Sequence, residues 1–270
     1  MKTGGKTIVV TGGGSGIGRE LVLDLLDRGA RVAALDVIEA ALQATAELAG
    51  DHRDRLSLHA IDITDREAVE SLPSAVIEAH GQVDGLINCA GIIQPFVKLD
   101  KLEYCAMERV IDVNFWGTMY MTKAFLPHLL ERPAAHIVNL SSMGGFLPVP
   151  GQTVYGASKA AVKLLTEGLH SELTETKVSV TVVFPGAIET NISTNSGVAP
   201  PASAGPSQQE RKFKMTSPAV AAKTIIDAME RDAYRVTVGP DAKTMDWLSR
   251  VMPEWAAGFI YKQMKTLLDR

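Results

Sequence analysis

Thr7-Ile8-Val9-Val10-Thr11-Gly12-Gly13-Gly14-Ser15-Gly16-Ile17-Gly18 is the stretch whose reading decides the fold. Its run Ile8-Val9-Val10 is apolar without strict alternation, as expected of a strand buried on both faces. The glycines that follow let backbone N–H groups approach an anion closely, and a helix starting near Gly16 turns its positive end on the same place. The spacing is Gly-x-x-x-Gly-x-Gly; the more general Gly-x-Gly-x-x-Gly register fails at Ser15 and Ile17. A glycine turn alone can merely join a strand to a helix. Here an apolar strand precedes it, an amphipathic helix with Ile17, Leu21 and Leu25 follows it, and Asp36 lies eighteen positions after its last glycine. That context predicts a dinucleotide site, with Gly12, Ser15, Gly16, Ile17 and Gly18 at the pyrophosphate and Asp36 accepting from both adenosine ribose hydroxyls. The Asp36 charge would repel a 2′-phosphate, and Ser15, Val37 and Ile38 offer no cation to hold one, so NAD is expected over NADP. The plainer alternative for Asp36 is an exposed strand-end carboxylate that caps the next helix.

Outward from this turn, short β-rich runs near residues 7–11, 31–36, 56–61, 84–88, 135–141, 178–184 and 234–238 alternate with helical patterns. Such alternation predicts an α/β fold: one doubly wound parallel sheet of about seven strands with helices on both faces. Ligands of such sheets bind beyond the carboxyl ends of the strands, where Thr11 onward, Asp36, Asp62, Asn88 to Gly91, Ser142 and Pro185-Gly186 fall. We read one domain over 1–240, with a substrate loop at about 190–216 that contains the low-complexity run 199–207. A helical extension over 241–270 carries Trp247, Leu248, Val251, Met252, Trp255, Phe259, Ile260, Met264 and Leu267 at mixed three and four spacing. It is expected to pack on the domain or on a neighbouring subunit. Peripheral membrane contact is the sharper alternative, disfavoured by Asp241, Asp246, Glu254 and Asp269 and by the lack of a concentrated basic face.

The 270 residues are 46% hydrophobic and 21% charged, enough to bury a large core, and a net charge of −4 gives no reason to expect nucleic acid or an anionic membrane as partner. Two cysteines, Cys89 and Cys105, build no disulfide framework, which suits a reducing cytoplasm. Met1 to Lys6 run directly into the first strand, so no targeting segment is expected, and no apolar run reaches the roughly 18 residues of a membrane span. The six histidines have no ligand spacing, and no metal is expected.

Tyr155 and Lys159 stand four apart in Tyr155-Gly156-Ala157-Ser158-Lys159, with Ser142 thirteen residues before Tyr155. Residues four apart share a helix face, so the Lys159 ammonium can favour the ionised Tyr155 phenol. Bringing a phenol from a pKa of about 10 to 7 takes about 4 kcal/mol of differential stabilisation, which one or two close cations could supply in a desolvated cleft. Ser142 then has the role of hydrogen-bond donor to a substrate oxygen.

With Thr11-Gly12-x-x-x-Gly16-x-Gly18, Asn88-Cys89-Ala90-Gly91, Asn114, Ser142, Tyr155-x-x-x-Lys159 and Pro185-Gly186 in this order, the chain resembles a short-chain dehydrogenase/reductase over about residues 5–240. The resemblance implies a Rossmann-type sheet of order 3-2-1-4-5-6-7. It also implies that Asp62 and Ile63 contact adenine, that Asn88 and Ala90, with Gly91 in the same string, flank the adenosine ribose, and that Lys159 also holds the nicotinamide ribose. Ile188 and Thr190, just after Pro185-Gly186, would meet the carboxamide. Asn114 resembles the family residue that holds a water beside the lysine. Cys89 departs from the family pattern, which most often has a second Asn there.

The implied reaction interconverts a secondary alcohol and a ketone, with Tyr155 as general acid/base. Ile93, Gln94, Pro95, Phe96, Met143, Gly144, Gly145, Phe146, Val149 and Gln152 are expected to line the substrate cleft. The set is mostly apolar and uncharged, which favours a hydrophobic or small neutral substrate. Two other functions stay open. A 3-oxoacyl thioester reductase is permitted by the basic run Arg211, Lys212 and Lys214 but disfavoured by Asp36. A non-catalytic NAD(H)-sensing protein would be expected to show a damaged Ser-Tyr-Lys set. By resemblance alone, a homodimer or homotetramer is expected through helices at about 102–130 and 153–174.

Overall fold

The computed structural model describes residues 1–198 and 215–265. Seven parallel strands form one sheet: β1 (Thr7–Thr11), β2 (Arg31–Asp36), β3 (Leu56–Ala60), β4 (Gly85–Asn88), β5 (Ala135–Leu140), β6 (Val178–Pro185) and β7 (Arg235–Val238). Their order is β3-β2-β1-β4-β5-β6-β7. Every strand agrees with its sequence-read range to within one residue at either end.

The helices in chain order are α1 (Gly16–Asp27), α2 (Glu39–Leu48), α3 (Arg66–His80), α4 (Tyr104–Ile111), α5 (Thr118–Leu130), α6 (Thr153–Glu172), α7 (Ile192–Asn195), α8 (Pro218–Glu230), α9 (Pro240–Val251) and α10 (Pro253–Met264). The period of two along a strand sends neighbouring side chains of β1 to opposite layers. Ile8 and Val10 join Leu21 and Leu25 of α1 and Ile225, Ile226 and Met229 of α8. Val9 joins Val69 of α3, Met121 and Phe125 of α5 and Leu169 of α6. Both faces of the sheet are thereby covered, which is why β1, β4 and β6 carry apolar runs without strict alternation. The strand order reverses between β1 and β4, and the carboxyl ends diverge there into a crevice.

One feature departs from the sequence reading. The helix expected over about 102–130 is divided by a π-helical turn at Asp112–Gly117 between α4 and α5. The extension packs on its own domain: Met245, Ala256 and Ile260 form a small core with Leu147, against which Met143 and Phe146 rest. Arg235 of β7 ties it down by bonding Asp246 of α9 while its guanidinium lies 4.0 Å from the centre of the Phe184 ring. The run 199–207, the basic residues Arg211, Lys212 and Lys214, and Leu267 and Asp269 lie outside the described residues.

Candidate active site

A cleft of about 440 Å³ opens over the carboxyl ends of β1, β2, β4, β5 and β6. At one end the glycine turn lies under the start of α1. A side chain at Gly18 would overlap the carbonyl of Gly12, so the helix begins this close to the strand only because residue 18 is glycine. Asp36 stands at the rim, held by two backbone donors: Gly14 N at 3.0 Å on Oδ2 and Ile38 N at 3.1 Å on Oδ1. Val37 and Ile38 beside it are exposed. The nearby cation Arg19 is committed, donating to Thr45 Oγ1 at 3.1 Å and to the carbonyl of Gly14. Thr11 Oγ1 accepts from both Cys89 N and Ala90 N at 3.0 Å, tying the end of β1 to the end of β4. Burial pushes the Cys89 thiol up to about 12, so it stands protonated and neutral.

Gly12, Ser15, Gly16, Ile17, Gly18, Asp36, Asp62, Ile63, Ala90 and Gly91 all line this cleft. Asn88 does not reach it. The amide of Asn88 is buried between β4 and β5, donating to Asn139 Oδ1 at 2.8 Å and Thr122 Oγ1 at 3.1 Å, so its expected place beside the ribose is corrected to a sheet-bracing one. The sequence reading missed Arg109 and Val113, which also line the cleft. They are four apart, the spacing of residues that share one helix face.

At the other end Ser142, Tyr155 and Lys159 meet, carried by the end of β5 and the first two turns of α6. A methyl group at Gly144 would sit 3.3 Å from Tyr155 Cε1 and 3.5 Å from Ser142 Oγ, so the two side chains flank the same point. Burial raises the Tyr155 phenol above its ordinary value, and its hydrogen bond with Ser142 opposes that rise. Lys159 is 4% exposed, and its Nζ donates to Leu140 O at 3.0 Å. Burial lowers it to about 8. In this state desolvation of both groups outweighs the lowering of the phenol that the four-residue spacing suggests.

Asn114 is fully buried in the π-helical turn. Its amide accepts from Ile92 N at 2.9 Å and donates to Ile92 O at 2.9 Å and Ser158 Oγ at 3.0 Å. Those bonds occupy the amide, so a water held by Asn114 beside Lys159 would use the backbone carbonyl, which also accepts from Thr118 Oγ1 at 2.8 Å.

Pro185, Gly186, Ile188 and Thr190 line the cleft beside Tyr155 and Lys159. Asp241, at the start of α9, braces this turn by accepting from Ala187 N at 2.7 Å. A side chain at Gly186 would overlap the Asp241 carboxylate. Above the glycine turn, Asn195 of α7 donates to Ser15 Oγ at 2.8 Å and so bridges the mouth of the cleft.

The expected substrate residues divide. Ile93 lines the cleft, while Met143 and Phe146 turn to the core shared with α9 and α10. Gly144, Gly145, Val149 and Gln152 border a separate hollow beside α10. Pro95 is exposed and Phe96 half-buried, neither on the cleft wall. Gln94 and Gln152 are 1% and 3% exposed and bonded to backbone, so their expected substrate contact is corrected to an internal one. Among the described residues no group of three or more His, Cys, Asp or Glu could hold a metal ion, and no helix is long and apolar enough to cross a membrane.

Residues 6–199 match the family model of the short chain dehydrogenases. The chain belongs to the short-chain dehydrogenase family. The oxidoreductase SadH of Mycobacterium tuberculosis is 41% identical over 256 residues, covering 92% of this chain and 91% of its own. A short-chain dehydrogenase/reductase from Burkholderia phymatum, solved with NAD, superposes with a TM-score of 0.84 at 26% identity, covering 94% of this chain and 96% of its own. A short-chain dehydrogenase from Burkholderia cenocepacia, solved with NADP, does so with a TM-score of 0.79 at 28% identity, covering 96% and 99%. This short-chain dehydrogenase is therefore an oxidoreductase with a Rossmann-type fold and a nicotinamide cofactor.

Proposed function

We propose that this short-chain dehydrogenase interconverts a secondary alcohol and a ketone with NAD, Tyr155 acting as general acid/base. The observation that carries the reading is that Ser142, Tyr155 and Lys159 gather at one end of the cleft whose other end is bounded by Asp36. The residues fit a dinucleotide: Gly12, Gly16 and Gly18 of the turn line the cleft without side chains to block it, and the Asp36 carboxylate is held at the rim by Gly14 and Ile38. NAD, when bound, supplies the hydride acceptor for oxidation and, reduced, the donor for the reverse.

Tyr155 takes the alcohol proton as the C–H hydride leaves, and returns it in reduction. Ser142 orients the substrate oxygen by a hydrogen bond. Lys159, kept charged at neutral pH by a pKa of about 8, stabilises the phenolate and binds the nicotinamide ribose. NAD is favoured because Asp36 would repel a 2′-phosphate and Arg19 is committed elsewhere. The walls around the reacting end include Ile92, Ile93, Ile188 and Ile192, which suits a hydrophobic or small neutral substrate. Tyr104, Trp116 and Leu164 are exposed on α4, the π-helical turn and α6, in keeping with a cytoplasmic homodimer or homotetramer formed there.

The test is turnover of aliphatic, diol, steroid and hydroxyacyl secondary alcohols with NAD and with NADP, followed as reduced cofactor. Turnover is expected with NAD, less with NADP, and in Tyr155→Phe a loss of at least about 10³-fold with NAD affinity within about 2-fold. Tyr155→Phe retaining activity, or NADP serving as well as NAD, would sink the corresponding assignment.

A further inference from the structure

We infer that Gln94 is a positioning residue for Tyr155: its buried amide clamps the first turn of α6 to the loop that leaves the cofactor cleft. This inference rests on the dehydrogenase reading above, because it concerns where the base of that reaction sits.

The first N–H groups of any helix lack partners within the helix. In α6 the preceding residue, Gln152, makes no side-chain bond to its own helix. The partner comes from about sixty residues away. Gln94 Oε1 accepts from Val154 N at 2.8 Å and from Tyr155 N at 3.0 Å. Gln94 Nε2 donates to Gly151 O at 3.0 Å, and Gln152 Nε2 donates back to Gln94 O at 2.7 Å. One side chain thus holds the backbone just before α6 and the backbone N–H of Tyr155 itself.

The loop that carries Gln94 is fixed independently. Ile92 is held through both its backbone N and O by Asn114, and Ile93 N donates to Ser196 Oγ at 3.0 Å. Asn114 also reaches Ser158 of α6, whose hydroxyl donates to the carbonyl of Tyr155 at 2.7 Å. Tyr155 is therefore gripped at its N–H by Gln94, in the segment that begins at Gly91, and at its carbonyl by Ser158, which Asn114 links to Ile92 of the same segment. Removing Gln94 Oε1 would leave two part-buried N–H groups without a protein partner and free the first turn to shift. A displacement of about 1 Å in a reacting group can cost about 10²-fold in rate. Gln94 does not line the cleft, so the loss should fall on the chemical step and not on binding.

The experiment uses the full chain with NAD and the best alcohol of the panel. Gln94→Met keeps length and removes the acceptor; Gln94→Glu keeps an acceptor oxygen. In Gln94→Met, kcat is expected to fall about 10- to 100-fold with KM and NAD affinity within about 3-fold, and the Val154 and Tyr155 amides should exchange faster. Gln94→Glu should recover most of kcat. A folded Gln94→Met with kcat within about 2-fold of wild type, or with kcat and binding lost together, overturns the proposal. Should Gln94→Met fail to fold, Gln94→Glu carries the test: its carboxylate should move the rising limb of kcat against pH upward, and an unmoved limb overturns the proposal. A wild-type protein silent towards every alcohol sinks the dehydrogenase reading instead. The clamp is then judged by exchange, where unchanged protection of Val154 and Tyr155 in Gln94→Met overturns it.

Discussion

Lys159→Met should stabilise the cofactor-free protein while abolishing turnover. Lys159 is 4% exposed, and burial depresses it from 10.5 to about 8. The unfolded chain therefore binds this proton more tightly than the folded one, and charging the buried ammonium costs stability at every pH below about 8. Each pKa unit corresponds to about 1.4 kcal/mol, so the cost is about 3 kcal/mol. Methionine fills similar space without a charge, but removes the 3.0 Å bond to Leu140 O, a loss of about 1 kcal/mol. The net gain near pH 7 is about 2 kcal/mol, or a rise in Tm of about 4 °C for a chain of this size. The sign of its pH dependence is fixed by the same linkage: wild-type stability recovers as pH rises from about 8 towards 10.5, so the gap between the proteins should narrow in that window. Calorimetry of the cofactor-free pair at neutral and alkaline pH measures it. A Lys159→Met protein less stable than wild type at pH 7, or a gap that does not change with pH, would refute the claim that the buried ammonium is a net cost.

Gly186→Ala places a methyl group against the Asp241 carboxylate and should cost about 1–3 kcal/mol and weaken NAD binding. Combined with Asp241→Ala, the loss in urea unfolding should be less than the sum of the two single losses, since the clash is gone; additivity would show that the two residues do not meet. His136, fully buried on β5, is lowered to about 4 by burial, with Asp232 opposing. The unfolded chain takes up this proton below about 6.5 and the folded one only near 4, so about 3 kcal/mol of stability should be lost between those values, and His136→Gln should lose less over the same range in denaturant titrations.

What could be read from the sequence was what local spacing encodes. The glycine turn, Asp36, Ser142, Tyr155 and Lys159 stand at fixed intervals along single elements or strand-to-helix turns, and the sheet follows from short apolar runs separated by helical patterns. The misread residues are those whose partners come from elsewhere in the chain. Asn88 ends a strand pointing at the crevice, yet the β4–β5 register sets it beside Asn139, to which its amide donates. Gln94 and Gln152 look like cleft lining because polar residues after a strand end usually face ligand; their partners lie across a gap of about sixty residues that no periodicity announces. The π-helical turn at Asp112–Gly117 adds a residue to a helix without any change of composition. Asn114 could be found by its motif, but its duty of holding Ile92 and Ser158 depends on that turn.

The C-terminal extension shows how the same effect changes a functional argument. In sequence, Asp241 and Asp246 make the segment look acidic and solvated. In the fold both are turned inward: Asp241 accepts from Ala187 beside the cleft, and Asp246 is bonded to Arg235. Arg235 in turn lies over Phe184 and within 6.0 Å of the Phe146 ring centre, four residues after Ser142. The extension therefore bears on both walls of the reacting end, through Asp241 on the Pro185–Ala187 turn and through Arg235 and Leu147 on the loop after Ser142. A change that loosens α9 should then reach Ser142 and the turn after β6 before it reaches the glycine turn or Asp36 at the other end of the cleft. Chemistry and adenosine binding would be separable by perturbing one end of the chain.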